Sequence, residues 1–122
     1  MTYKIDWFTP NHVIEAVLPE NADDAFILKL DNDLNTMLDT ASQPVHIIMD
    51  TRGVKSYPSA PMAMKVKYYK HARLGRLVLL GLPSNPVVRF LSTLVGKTVG
   101  IQIKGFATRE EAHAYLASVE HA

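Results

Sequence analysis

Apolar and polar positions alternate with a period of two over residues 3–8 and again over 12–18, on either side of Thr9-Pro10-Asn11. Alternation of that kind, broken by a turn signal, predicts an opening β-hairpin. The period then changes. Ile27, Leu30, Leu34, Met37, Leu38 and Ala41 recur at helical spacing, while Asp31, Asp33, Asn35 and Asp39 fill the other faces as a solvated surface. Asp23 or Asp24 can serve the first turn, where a carboxylate suits the positive end of the helix dipole. An amphipathic helix of about five turns follows from this pattern.

Beyond Pro44 the pattern loses its polar half. Residues 45–49 are mostly apolar and end at Asp50, as expected of a strand covered on both faces. Gly53 lies in a loop over 51–58, and a second helix is expected from Ser59 to about Arg73, with Pro61 in its first turn. A second buried strand is expected over 74–82, followed by the dense turn of Gly81 to Pro86. Asn85 can cap a third helix with Pro86 at its first position, and Val87, Val88, Leu91, Leu94 and Val95 give it a wide apolar face. Residues 99–103 alternate as a last strand. Thr108-Arg109-Glu110-Glu111 fits the Thr-x-x-Glu capping box of a final helix, whose core face is Ala112, Tyr115, Leu116 and Val119. The order β-β-α-β-α-β-α-β-α predicts an α/β fold, a mixed, mainly parallel sheet flanked by helices, with residues 1–122 forming one domain.

Composition narrows the function classes. The 122 residues are 48% hydrophobic and 20% charged, an ordinary globular balance. There is no cysteine, which excludes disulfides, thiolate zinc sites and cysteine nucleophiles. The N-terminal residues lack an apolar signal core, and no apolar run approaches the length of a membrane span, so a cytoplasmic location is expected.

The net charge of +1 conceals a segregation. Residues 1–50 carry two basic and nine acidic residues, net −7; residues 51–109 carry eleven basic residues and no carboxylate, net +11; residues 110–122 carry three acids, net −3. Such a chain is electrically dipolar if the halves stay apart in space.

The motifs tested for chemistry fail. Gly96-Lys97-Thr98 resembles the end of a phosphate-binding loop, but Leu91 stands where the first glycine belongs and a strand rather than a helix is expected to follow. Asp31-Asn32-Asp33-Leu34-Asn35 resembles the start of a calcium loop, but Thr36 and Ser42 occupy its glycine and glutamate places. The five histidines, His12, His46, His71, His113 and His121, include no i, i+4 pair, and His46 in a core strand reads as a hydrogen-bonded structural imidazole. No Gly-x-Ser-x-Gly elbow exists. No catalytic residue, metal ligand or cofactor is assigned, and a non-enzymatic role is expected.

Lys65, Lys67, Lys70, Arg73 and Arg76 cluster around the second helix and the next strand, with Tyr68 and Tyr69 among them. They read either as a surface for an anionic partner or as a solvated face whose counter-charge lies on the acidic first helix.

An apolar strand ending in Asp (Val45-His46-Ile47-Ile48-Met49-Asp50), then Gly53-Val54, then Ser59 opening a helix, resembles the STAS family of SpoIIAA-like anti-sigma-factor antagonists and stand-alone STAS-like bacterial proteins. Residues 81–90 and 105–112 extend the resemblance over essentially the whole chain. It implies the SpoIIAA-like fold and a regulatory protein-interaction function, with an anti-sigma-like kinase as partner. The family's regulatory turn, Asp-Ser-Ser/Thr-Gly, carries a serine that the partner kinase phosphorylates. The aligned residues here are Pro58-Ser59-Ala60-Pro61, so only Ser59 matches, and its other reading is a helix N-cap.

The leading expectation is an interaction module docking through Arg52, Lys55, Ser59, Lys65, Lys67, Lys70 and Arg73. Its rival is a carrier of an apolar, anionic small molecule or lipid, with Met62, Met64, Tyr68 and Tyr69 lining a pocket. A third is a homodimer through Val87, Val88, Phe90 and Leu91. Nucleic acid is the least expected partner.

Overall fold

In a computed structural model, which describes residues 2–81 and 85–120, five strands lie in the order β1-β2-β3-β4-β5. They are β1 Lys4–Thr9, β2 Val13–Val17, β3 Val45–Asp50, β4 Leu74–Leu80 and β5 Ile103–Phe106. The β1–β2 pair is antiparallel and the remaining three pairs are parallel. The helices are α1 Asp24–Asp39, α2 Ala60–Lys65, α3 Pro86–Val99 and α4 Arg109–Glu120. Because the strands are laid down in sequence order, right-handed crossovers place α1, α2 and α3 on one face. Ile14, Ile47, Leu77 and Leu79 of the sheet pack there with Leu30, Leu34, Leu38 and Val88. On the opposite face Val13, Ile48, Val78 and Leu80 meet Ala112 and Leu116 of α4. Nearly continuous apolar strands β3 and β4 follow from cover on both faces.

The caps expected at Asn85 and Thr108 form, and Asp23, expected with Asp24 only as a dipole partner, is the N-cap of α1. The Asp23 carboxylate accepts from Phe26 N at 3.0 Å. Asn85 accepts from Val87 N and Val88 N at 3.0 and 3.2 Å. Thr108 Oγ1 accepts from Glu111 N, and Glu111 Oε1 accepts from Thr108 N, both at 3.2 Å, which closes the capping box. Of the turn preceding α3, Leu82, Pro83 and Ser84 lie outside the described residues, as does His121.

Two elements depart from the expected pattern. The second helix ends at Lys65 instead of near Arg73, and only a single 3-10 turn, Tyr68–Lys70, follows. Val66 and Tyr68 are both buried. In a continuous helix they would point about 200° apart, so both can face the core only if the helix breaks. Val66 is extended (ψ 147°), and the freed amides of Lys67 and Tyr68 donate to the Asp31 carboxylate at 2.9 Å each. Asp31 therefore does not belong to a solvated face: it is 8% exposed and serves as the helix stop.

The last strand is Ile103–Phe106, not 99–103. Residues 99–103 alternate, yet α3 runs to Val99 and ends on Gly100, whose left-handed φ of 81° makes it the C-cap, with its N–H donating to Gly96 O. Gly96-Lys97-Thr98 thus lies in the last turn of a helix.

Candidate functional site

The parallel strands all end at one edge of the sheet, where ligand and partner sites of open α/β sheets concentrate. The loop after β3 starts with buried Thr51, whose Oγ1 donates to Leu80 O at 2.6 Å. It is then stitched to the loop before α1. Lys55 N and Ser56 N donate to Glu20 O at 2.7 and 2.9 Å, and Ala22 N donates to Ser56 O at 2.9 Å. Tyr57 Oη donates to Val54 O and accepts from Asn85 Nδ2, which ties the loop to the start of α3.

Ser59 is exposed at the end of this loop and caps α2, accepting from Met62 N at 3.3 Å. Asp24, in the first turn of α1, clasps it from the other side. Ser59 N donates to Asp24 Oδ1 at 2.7 Å, and Ser59 Oγ donates to Asp24 Oδ2 at 3.1 Å. One carboxylate therefore joins α1 to α2 through the amide and hydroxyl of a single serine. The sequence offers no signal for this pairing, since the two residues are 35 positions apart and Asp24 reads only as a dipole partner.

Of the other residues expected at this surface, Arg52 is turned back on Asp50. Its Nε and Nη2 contact Oδ1 and Oδ2 at 3.0 and 2.8 Å. Burial raises the Asp50 pKa, but the side-chain and backbone hydrogen bonds from Arg52, with its charge, outweigh that and leave it below the ordinary carboxylate value. Lys55 stands 3.9 Å from Glu20, both well exposed. Lys65, Lys67, Lys70 and Arg73 are all exposed, and among the described residues none has a carboxylate within ion-pair distance. The carboxylates of α1 are engaged elsewhere: Asp24 with Ser59, Asp31 with backbone amides, Asp33 with Tyr3 and Lys29, Asp39 with His71. None of these four carboxylates makes a direct ion pair with Lys65, Lys67, Lys70 or Arg73. Arg76 faces the opposite side, donating to Tyr115 Oη.

Tyr68 and Tyr69 line an apolar cavity of about 100 Å³ between the sheet and α1, α2 and α3, together with Tyr57, Val88 and Leu91. Met62 and Met64 are half-buried and do not line it. The volume is below the roughly 300 Å³ at which small-molecule sites begin, and no lining residue is charged. Burial pushes the Tyr69 phenol up to about 12, so this wall is neutral at physiological pH. The cavity gives no counter-charge to an anionic ligand. On α3, Val88 is a core residue, whereas Val87 and Phe90 are 43% and 62% exposed and Leu91 is half-buried.

On the far face of the sheet, Arg109 of α4 makes a two-pronged contact with Glu15 of β2 at 2.7 and 2.6 Å, and His113 approaches the same carboxylate at 3.4 Å. The Arg109 hydrogen bonds lower the Glu15 pKa against the opposing effect of burial. His46 accepts from Arg76 N at 2.9 Å, in agreement with a structural imidazole.

The order of elements, with α4 the only helix among the described residues on the second face of the sheet, is that of the STAS-type α/β fold seen in SpoIIAA. Two solved structures share it. The anti-sigma factor antagonist SpoIIAA in its unphosphorylated form superposes with a TM-score of 0.69 at 18% identity, over 96% of this chain and 97% of that one. The Bacillus cell fate determinant SpoIIAA in its phosphorylated form superposes with a TM-score of 0.66 at 17% identity, over 94% of this chain and 99% of that one. No family model and no curated protein matches the chain. Among the described residues no helix is long and apolar enough to cross a membrane.

Proposed function

We propose that this protein is a non-enzymatic regulatory module that docks a partner protein at the carboxyl edge around Ser59, and that phosphorylation of Ser59 switches the docking. One observation carries the reading: Ser59 is exposed, and its hydroxyl is held by Asp24. A phosphoryl group adds a charge of about −1.5 to −2 at that oxygen. It would stand beside the Asp24 carboxylate and take away the hydroxyl proton that Asp24 accepts. Repulsion would open the clasp between α1 and α2 and change the surface a partner meets. The first turn of α2 tolerates an anion, but six residues of helix offset little of that repulsion.

SpoIIAA, known in phosphorylated and unphosphorylated forms, supports carrying this behaviour over. The partner implied is an anti-sigma-like kinase in the cytoplasm, with the exposed Lys65, Lys67, Lys70 and Arg73 favouring an acidic contact surface. The test is affinity capture from native-host cells by the wild type and by Ser59→Glu, with mass spectrometry of the Ser59 peptide. Phosphate on Ser59, and a regulatory kinase captured by the wild type and lost with Ser59→Glu, are expected. Equal capture by both without a phosphopeptide would discard the switch.

A further inference from the structure

Strand β5 ends the sheet, and no other described strand pairs with its outer side. Beside it an open groove of about 330 Å³ runs between the flank of α3 and the chain entering β5. Arg89, Ser92, Thr93 and Lys97 line the helix side, and Ile101, Gln102 and Ile103 line the strand side. We propose that this groove binds an extended acidic segment of a partner protein, which joins the sheet as a sixth strand beside β5.

Three features select that occupant. Charge is the first: Arg89 and Lys97 mark the two ends of the α3 flank, and among the described residues no carboxylate lines the groove. Spacing is the second: Arg89 and Lys97 are eight positions apart on one helix, about 12 Å. An extended strand repeats its side chains on one face every 6.6 Å or so, so acidic residues at every second position of a strand match both cations. The third is the lining of the groove. Ile101 and Ile103 are half-buried and offer aliphatic contact without an aromatic platform on the α3 side, which suits side chains of a strand rather than stacked bases. A second copy pairing β5 to β5 would bring the same cations together, like charge against like.

This surface is separate from the Ser59 edge, so the two readings fail independently. The probe is a fluorescein-labelled peptide of about eight residues alternating Glu and Val, titrated by fluorescence anisotropy. The controls are the same peptide with a central Pro and a polyglutamate of equal charge. The expected result is saturable binding of the alternating peptide, weakened about tenfold or more by Arg89→Glu with Lys97→Glu, both exposed on α3, and unchanged by Ser59→Glu. Hydrogen exchange of the amides over Ile103–Phe106 should slow when the peptide binds. Equal binding of the proline or polyglutamate controls would overturn strand addition. So would no binding at all, or slowing of the same amides by self-association or by a single-stranded oligonucleotide in place of the peptide.

Discussion

Replacing Asp31 with Ala removes the acceptor for three donors: Lys67 N, Tyr68 N and Asn35 Nδ2, at 2.9 to 3.0 Å. Hydrogen bonds to a charged group contribute about 1.5–3 kcal/mol each, and an orphaned buried donor costs about 1–3 kcal/mol. The Lys67 amide belongs to an exposed residue and can regain water, so only the Tyr68 amide, on a residue 4% exposed, bears the full cost. Asn35 Nδ2 keeps a second acceptor in Asp31 O at 2.8 Å. The expected loss for Asp31→Ala is therefore about 3–4 kcal/mol, and for Asp31→Asn about 2 kcal/mol, since one acceptor oxygen remains. Asp39→Ala, at an exposed position on the same helix, should cost under about 1 kcal/mol. Urea unfolding followed by far-ultraviolet circular dichroism measures all three, and hydrogen exchange at Tyr68 shows whether the damage is local. If Asp31→Ala costs no more than Asp39→Ala, Asp31 is not the stop of the second helix.

Other outcomes are expected from the same geometry. Ser59→Ala should lose the cap of α2, about 1 kcal/mol in urea unfolding, while Ser59→Glu should also speed exchange in the loop between β3 and α2. Gly75→Ala should destabilise by about 1–3 kcal/mol in thermal melts, because a Cβ there would meet His46 Nδ1 at 2.6 Å. Glu15 and Asp50 have folded pKa values below their ordinary 4.5 and 3.8, so the unfolded chain binds more protons as pH falls. Their contribution is present above those values and is lost as pH drops through the lower folded ones. Arg109→Ala should flatten the decline in stability below about pH 4.5, read by unfolding at a series of pH values.

Legibility in the sequence divides along physical lines. Local chemistry was readable: the caps at Asn85 and Thr108 depend on residues within three positions of one another. Apolar periodicity placed the hairpin, α1, β3 and β4, because burial on a regular element imposes a regular spacing. The second helix was overextended because its stop comes from Asp31, 36 positions before Lys67. The last strand was placed too early because Val99, Ile101 and Ile103 alternate on both sides of a glycine cap, and alternation alone does not reveal that the helix is still running. At the candidate site Ser59 was legible as a cap and through the STAS resemblance, whereas its clasp by Asp24 was not. The charge segregation was legible along the chain, but the fold brings its two parts into contact, with Glu15 paired to Arg109 and Asp39 to His71, pairings 94 and 32 positions apart that no local pattern reveals.

The docking surface is tested most directly in native-host cells by a photo-crosslinking residue at Lys55, in the exposed loop leading to Ser59, against the same residue at Ala117, exposed on α4. A regulatory protein crosslinked from position 55, absent from position 117 and lost when Ser59→Glu is added, is the predicted result. Crosslinking of the same protein from both positions, or only from Ala117, would contradict the assignment of the carboxyl edge as the site of recognition.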